Sequence, residues 1–133
     1  MNRENKITVR GLVCHKDVNT ALICYGSLLR YSHEPVRLVL HDDGSLTEED
    51  KERLCSTLRL CSTLNAVSII TKAAADAHVS ELLGKYPHCT KFRSEHPLGL
   101  KLLDIPVMSE ENLVYCDSDI LFVNRFKGIS RPE

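Results

Sequence analysis

Several features that would place this chain in a common functional class are missing from its sequence. No segment approaches the roughly 18 apolar residues of a membrane-spanning helix, and the polar residues 1–6 lack the apolar core of a signal peptide. Neither sign of charge is in excess, because 17 Lys and Arg stand against 18 Asp and Glu, without a block of like charges. We therefore expect no membrane span, no nucleic-acid partner and a cytoplasmic location.

The local motifs of several enzyme and metal classes are also missing. The sequence contains no phosphate-cradling G-x-x-x-x-G-K, no Rossmann glycine fingerprint and nothing that supports a Ser/His/Asp triad. None of the six cysteines belongs to a C-x-x-C pair, so a structural zinc site is not expected. Most cysteines lie within apolar runs, which together with the polar amino terminus predicts reduced thiols.

The composition is that of a folded domain. A chain of 133 residues, with 43% hydrophobic and 26% charged residues, fits one compact domain or part of a larger one. No internal repeat, low-complexity tract or linker divides it. We therefore expect residues 1–133 to form a single domain.

Short apolar segments alternate with helical patterns along the chain. We expect strands at residues 7–14, 36–40, 66–70 and 113–116, with the apolar run resuming at 120–123. The intervening patterns predict helices at about 17–32, 48–60, 75–86 and 94–105, and Thr47 with Asp50 gives the clearest helix start, a capping box. This alternation predicts an α/β fold, with a mostly parallel sheet and flanking helices.

The acidic triplet Asp117-Ser118-Asp119 lies between the apolar residues 114–116 and 120–123. That setting predicts carboxylates at or near the sheet core, where unpaired charges are costly. Mg²⁺ or Mn²⁺ would compensate the charge, and such ions usually keep positions open for phosphate oxygens. The alternative is a turn in which both side chains cap backbone N–H groups.

Two motifs together resemble a known family. Residues 36–45, which end in His41-Asp42-Asp43-Gly44-Ser45, and residues 113–122, which contain Asp117-Ser118-Asp119, are similar to the donor-binding half of a GT-A glycosyltransferase of the family 8 type. The resemblance spans residues 7–126. It implies a Rossmann-like nucleotide-diphospho-sugar transferase fold that moves a glycosyl group from a UDP- or GDP-sugar to an acceptor, with Mn²⁺ or Mg²⁺ as cofactor.

The resemblance also implies roles for particular residues. Asp119 would hold the metal ion, and Asp117 would contact the ribose and assist the ion. Lys101 would face the diphosphate or the sugar, although a solvated helix residue is the alternative. Four further residues would lie near the base and ribose: His15, Asp17, Asp42 and Asp43.

Some of the side chains in this region also have an ordinary interpretation. His15 and His41 fit polar loop surface as well as a binding role, because function concentrates in loops but most loop histidines are only solvated. Arg93 fits an exposed loop position as well as an approach to the donor.

The chain departs from that family at its carboxyl end. Only 14 residues follow Asp119 in the 133-residue sequence, whereas the family carries a second half with the acceptor site and a later histidine ligand. We therefore expect an incomplete GT-A fold with poor or absent turnover on its own. The alternative function is a non-catalytic nucleotide-sugar-binding or assembly module, in which an uncovered apolar face would favour a homodimer.

Overall fold

A computed structural model describes residues 7–62, 65–109 and 112–128. Its centre is a sheet of four parallel strands, β1 (Ile7–Val13), β2 (Val36–Asp42), β3 (Ala66–Ile70) and β4 (Val114–Tyr115), in the order β3-β2-β1-β4. Neighbouring strands pair in parallel throughout, with Val9 of β1 opposite Leu38 of β2 and Val114 of β4. The α/β fold with a parallel sheet and flanking helices is confirmed.

The helices follow the strands in the expected alternation. A short 3₁₀ helix (His15–Asp17) leads into α1 (Val18–Tyr31), and α2 (Glu48–Arg59) and α3 (Lys72–Leu83) follow β2 and β3. The capping box at the start of α2 is confirmed, since the Thr47 side chain accepts from the Asp50 backbone N–H and the Asp50 carboxylate accepts from the Thr47 N–H. The remaining helical segments are α4 (Pro87–Glu95), a π-helix (Leu100–Asp104) and α5 (Ile105–Val107).

The single helix expected at residues 94–105 is wrong. The chain breaks between α4 and the π-helix at residues 96–99, because Pro97 has no N–H with which to continue a helix. Gly99 then comes so close to α4 that a Cβ there would lie 2.5 Å from the Arg93 Cα. Pro106 lies inside α5 and does not end it, since the first turn of a helix tolerates proline.

The apolar residues 120–123 do not resume a strand. β4 ends at Tyr115, and side chains after the acidic triplet are largely exposed, with Leu121 59% and Val123 76% accessible. Phe122 is the exception, because it packs against the hydrophobic core and stacks on Phe126 at 4.8 Å. This segment covers the end of α1, where the Phe126 N–H donates to the Tyr31 carbonyl oxygen.

The two faces of the sheet differ in polarity. One face packs against α1 and α2 in an apolar core that includes Val9, Leu38, Leu28 and Leu54. Successive strand residues point to opposite faces, so Arg10 and His41 lie on the other side, where both are buried. A second set of buried side chains lies outside the apolar cluster and comes from α3 and α5: Ala75, Val79, Leu83 and Ile105.

The strand order reverses beside β1. The connections through α1 and α2 carry the chain outward to β2 and β3, and the chain then returns to place β4 on the opposite side of β1. In open parallel sheets, ligands bind in the crevice at the carboxyl ends of the strands where this reversal occurs. A ligand site is therefore expected at the carboxyl ends of β1 and β4.

Among the described residues, no helix combines the length and the apolar character that crossing a membrane requires.

Candidate functional site

A cavity of about 380 Å³ lies at the carboxyl ends of β1 and β4. Its walls come from the last part of β1, the start of α1 and the segment that follows β4. The lining residues are Leu12, Asp17, Thr20, Tyr115, Asp117, Ser118 and Asp119. The strand reversal therefore brings the acidic triplet together with Asp17, which is 100 positions earlier in the sequence.

Asp117 is held by a cation. Its Oδ1 atom accepts a hydrogen bond from Lys101 Nζ at 2.8 Å, and the same ammonium lies 4.7 Å from the centre of the Tyr115 ring. The hydrogen bond from Lys101 lowers the pKa of the Asp117 carboxyl group, so Asp117 is an anion at neutral pH. The π-helix thus places Lys101 where it neutralises one carboxylate of the triplet.

Asp119 has a different environment. It is exposed, and no side-chain hydrogen bond or ion pair holds its carboxylate within the described residues. The expectation that both carboxylates lie near the sheet core is wrong, because the Asp117 side chain is also 51% exposed. The apolar residues that flank the triplet do not form a continuous strand, so they do not enclose it. Asp119 is therefore a carboxylate of the cavity that is not neutralised by a cation among the described residues.

Side chains of α1 hold the backbone of the acidic triplet. The Tyr25 hydroxyl donates to the Cys116 carbonyl oxygen at 2.8 Å, and the Cys24 thiol donates to the Asp117 carbonyl oxygen at 3.1 Å. The Ser27 hydroxyl oxygen accepts from the Phe122 N–H at 3.0 Å. Because β4 contains only two residues, the last backbone bond from this segment to β1 is that of the Cys116 N–H to the Arg10 carbonyl oxygen, and these three side-chain bonds hold the residues beyond it.

Gly11 makes the Tyr25 bond possible. A Cβ at this position of β1 would lie 1.9 Å from the Tyr25 hydroxyl oxygen. Tyr25 is fully buried, and burial raises the pKa of its hydroxyl, which keeps it a neutral donor. A small residue in a strand is the sequence signal that a neighbouring group approaches the backbone closely.

His15 contacts the start of α2 and does not line the cavity. Its N–H donates to Ser45 Oγ at 2.8 Å, and its Nδ1 lies 2.5 Å from Asp50 Oδ2. The hydrogen bond with the Asp50 carboxylate raises the pKa of the His15 imidazole. Asp17 does line the cavity, where its carboxylate accepts from the Cys14 thiol at 3.0 Å. Of the two residues expected to contact the nucleotide after β1, His15 thus packs against the start of α2, and Asp17 lines the cavity.

Asp42 forms a turn at the end of β2. It is buried, and its Oδ1 atom accepts from the N–H groups of Gly44 and Leu46 at 2.7 and 3.2 Å. Gly44 has a φ of 101°, which explains the glycine at this point. Asp and Gly favour a turn at residues 41–45, and the structure has one there. Residues 118–119 also form a turn, but no hydrogen bond from a backbone N–H to the Asp117 or Asp119 carboxylate occurs in the described part of the chain.

Asp43 borders a second cavity, of about 530 Å³, which Leu12 also lines. Lys72, Arg93 and His96 also line this cavity. The Asp43 Oδ1 atom accepts from the Ser45 N–H and hydroxyl at 2.9 and 2.5 Å. Asp43 is therefore near the cavity that holds Asp117 and Asp119 without belonging to it, and His15 and Asp42 line neither cavity.

Arg93 belongs to a partly buried ion-pair network. Its guanidinium makes two bonds to Asp104, at 2.6 and 2.8 Å, and a third contact to Asp76 at 2.7 Å. Lys72 also pairs with Asp76, and Asp104 is 3% exposed. The alternative that Arg93 is an exposed loop residue is wrong, because it lies within α4 with a 13% exposed side chain. Only the fold brings α3, α4 and the π-helix close enough for this network.

A buried pair between β1 and β2 was not expected from the sequence. Arg10 Nη1 lies 3.1 Å from His41 Nε2, and both residues are under 10% exposed. Burial and then the Arg10 charge lower the pKa of His41 to about 4. His41 is the last residue but one of β2 and is not part of a loop. The available signal was charged and polar side chains inside otherwise apolar strands.

Asp117 and Asp119 are the residues of this cavity that could hold a hard cation together with a ligand. Carboxylate and hydroxyl oxygens are suitable donors for Mg²⁺ or Mn²⁺. No group of three or more His, Cys, Asp or Glu side chains that could hold a metal occurs within residues 7–62, 65–109 and 112–128. A bound ion would therefore take its remaining oxygens from phosphate and water, as Mg²⁺ commonly does.

Comparison of the chain with protein-family models, with curated proteins and with solved structures gave no match.

Proposed function

We propose that this chain binds the nucleoside-diphosphate sugar donor of a metal-dependent glycosyltransferase of the GT-A kind. The observation that carries the proposal is the position of Asp117 and Asp119 beside a cavity at the reversal of strand order between β1 and β4. That crevice is where open parallel sheets bind nucleotides. The resemblance of the Asp117-Ser118-Asp119 motif to the glycosyltransferase D-x-D supports the choice of ligand.

The charges of the site suit a diphosphate with a divalent ion. Asp119 is an available carboxylate, while Asp117 is paired with Lys101. A diphosphate can take the ammonium of Lys101, which releases Asp117 to contact the ion or the ribose. When bound, Mn²⁺ or Mg²⁺ would supply Lewis-acid stabilisation of the leaving diphosphate. Among this chain's residues, Lys101 and Asp117 orient the donor, and Asp17 borders the same cavity.

Isothermal titration calorimetry with UDP and with GDP, each with and without Mn²⁺, tests the proposal. We expect a nucleotide to bind more tightly when Mn²⁺ is present, and Asp119→Asn to abolish this dependence. Glu52→Gln on the exposed side of α2 is the matched control and should bind like the unmodified protein. A nucleotide affinity that changes neither on addition of Mn²⁺ nor on Asp119→Asn would refute the proposal.

Lys101→Met tests separately whether a diphosphate takes the Lys101 ammonium from Asp117. We call this transfer of the ammonium the ion-pair exchange. Without Lys101, Asp117 has no cation to neutralise it, so we expect Mn²⁺ alone to bind more tightly and the nucleotide to bind more weakly. These opposite changes distinguish a role in the exchange from general loss of structure, which would weaken both. Equal weakening of both ligands would contradict the exchange.

A second candidate, a non-catalytic assembly module, is favoured by exposed apolar side chains. Ile23 of α1 is 63% exposed and, with Leu121 and Val123, lines a groove of about 580 Å³. Exposed apolar surface is typical of sites where proteins associate. Sedimentation velocity distinguishes this function, since an assembly module should self-associate and lose association on Val123→Asp. A monomer at all concentrations would exclude self-assembly through this groove.

A further inference from the structure

Two cysteine side chains meet directly beneath the acidic triplet. Cys24 of α1 and Cys116, the residue after β4, have sulfur atoms 4.0 Å apart and are 1% and 5% exposed. All six cysteines are free thiols. Among the described residues, Cys24 and Cys116 form the one hydrogen bond between two sulfur atoms. Formation of a disulfide would bring these sulfur atoms from 4.0 Å to about 2 Å, which requires movement of the two side chains.

Both thiols contact the backbone of Asp117. Cys24 Sγ is 3.1 Å and Cys116 Sγ 3.4 Å from the Asp117 carbonyl oxygen. A thiol is a donor only while it carries its proton. A bond between the two sulfur atoms would therefore remove both donors from this carbonyl at once.

We propose that Cys24 and Cys116 form a redox-active dithiol whose oxidation to a disulfide releases the Asp117 carbonyl and changes the position of the acidic triplet. Formation of the disulfide does not depend on the proposed function. The consequence for donor binding rests on it, because only a site at Asp117 and Asp119 would respond.

The oxidation is balanced with a peroxide as oxidant. The thiolate of one cysteine attacks a peroxide oxygen, giving a sulfenic acid, and the O–O bond breaks with release of water. The second thiol then attacks the sulfenic sulfur, the S–S bond forms and a second water leaves. Each sulfur loses one electron, and hydrogen peroxide takes up two.

The buried thiols become accessible by local opening of residues 116–122. At its start this segment is held by a two-residue strand and by the Cys116 N–H bond to the Arg10 carbonyl oxygen, and further along by the Lys101–Asp117 pair, the three side-chain bonds from α1 and the packing of Phe122. Segments that lack regular secondary structure and carry exposed side chains, such as residues 117 and 119–121 here, open at lower free energy than core strands and helices. Oxidation should therefore be slow in the folded protein but should not require global unfolding.

The test uses a variant of the full chain that keeps only Cys24 and Cys116. The remaining cysteines are replaced by serine: Cys14, Cys55, Cys61 and Cys89. After treatment with hydrogen peroxide, we expect peptide mapping to find the two remaining cysteines joined, and dithiothreitol to restore both thiols. The same variant with Cys24→Ala is the matched control and should form no intramolecular cross-link.

The unmodified chain gives a second measurement that does not depend on these substitutions. Its peroxide-treated peptides should contain the Cys24–Cys116 cross-link in preference to any other pairing. Sulfinic acids without a cross-link, or random pairing among all six cysteines, would overturn the proposal. If the disulfide forms, Mn²⁺-dependent nucleotide affinity should fall by roughly fivefold, the effect of about one hydrogen bond.

The two proposals fail separately. A cross-link in a chain that binds no nucleotide with or without Mn²⁺ supports the dithiol and refutes the donor site. Mn²⁺-dependent nucleotide binding without a cross-link supports the donor site and refutes the dithiol. A cross-link that leaves nucleotide affinity unchanged overturns the link between the disulfide and the acidic triplet.

Discussion

The buried His41 makes the stability of this protein depend on pH in a defined direction. Its pKa falls from 6.5 to about 4 on folding, because burial and the nearby Arg10 disfavour the charged imidazole, while Asp104 acts in the opposite sense. The unfolded chain therefore binds a proton at a higher pH than the folded protein does. The stabilisation from neutral His41 is present above pH 6.5 and is lost as the pH falls from 6.5 towards 4.

The size of the effect follows from the same difference. Each pH unit in which only the unfolded chain is protonated costs about 1.4 kcal/mol. Lowering the pH from near 7 to about 5 should therefore remove about 2 kcal/mol of stability. Urea unfolding followed by circular dichroism at these two pH values measures the free energy of unfolding directly. The total stability of a domain is commonly about 5–15 kcal/mol, so the loss is readily detected.

His41→Gln is the variant that isolates this residue. A glutamine side chain can still accept from Arg10 but does not titrate. We expect its stability to change by about 2 kcal/mol less than that of the unmodified protein over the same pH interval. His15→Gln is the control, because the pKa of His15 is raised by Asp50, so His15 opposes the loss on acidification. An unchanged pH dependence in His41→Gln would refute the assignment to His41.

Three further predictions concern the packing that holds the site. Gly11→Ala should destabilise the protein strongly, because the new Cβ would lie 1.9 Å from the Tyr25 hydroxyl oxygen. Gly26→Ala is the control and should be tolerated, because its new Cβ would lie 3.5 Å from the nearest atom. Equal melting temperatures of the two variants would contradict this prediction. Tyr25→Phe should cost about 1–2 kcal/mol in urea unfolding, since the buried Cys116 carbonyl loses its hydroxyl donor, and a stability equal to that of the unmodified protein would argue against the bond. Arg93→Met should lower the free energy of unfolding by about 3–5 kcal/mol, because it leaves the buried Asp104 carboxylate without its guanidinium partner. Denaturant titration measures this loss. An unchanged free energy of unfolding would contradict a stabilising role for the pair.

Local sequence signals correctly predicted the elements whose patterns depend on near neighbours. The capping box at Thr47 and Asp50 gave the start of α2, since both partners lie within one helical turn. The β-branched apolar segments gave the three longer strands, and their alternation with helices gave the parallel sheet. The break near Pro97 was missed, although proline carries that signal, because the apolar spacing of the following residues is compatible with one continuous helix.

The candidate site was predicted in part. The resemblance implied that Lys101 faces the diphosphate or the sugar, which stays a prediction, and the structure places Lys101 against Asp117. The exposure of both carboxylates was not expected, because the apolar residues 120–123 suggested a continuous strand. In the structure residues 120–123 cover part of α1. No pattern within these four residues indicates that contact.

The sequence by itself determined the α/β class, the order of the elements and the chemical character of the acidic triplet, because each depends on residues that are near one another along the chain. Only the tertiary structure decided that β4 lies beside β1, which brings Asp17 next to Asp117 and Cys24 next to Cys116. It also decided that Arg93 is part of a partly buried ion-pair network. These relations join residues from different elements, and they arise when the strands pair and the helices cover the sheet, which local propensity does not encode.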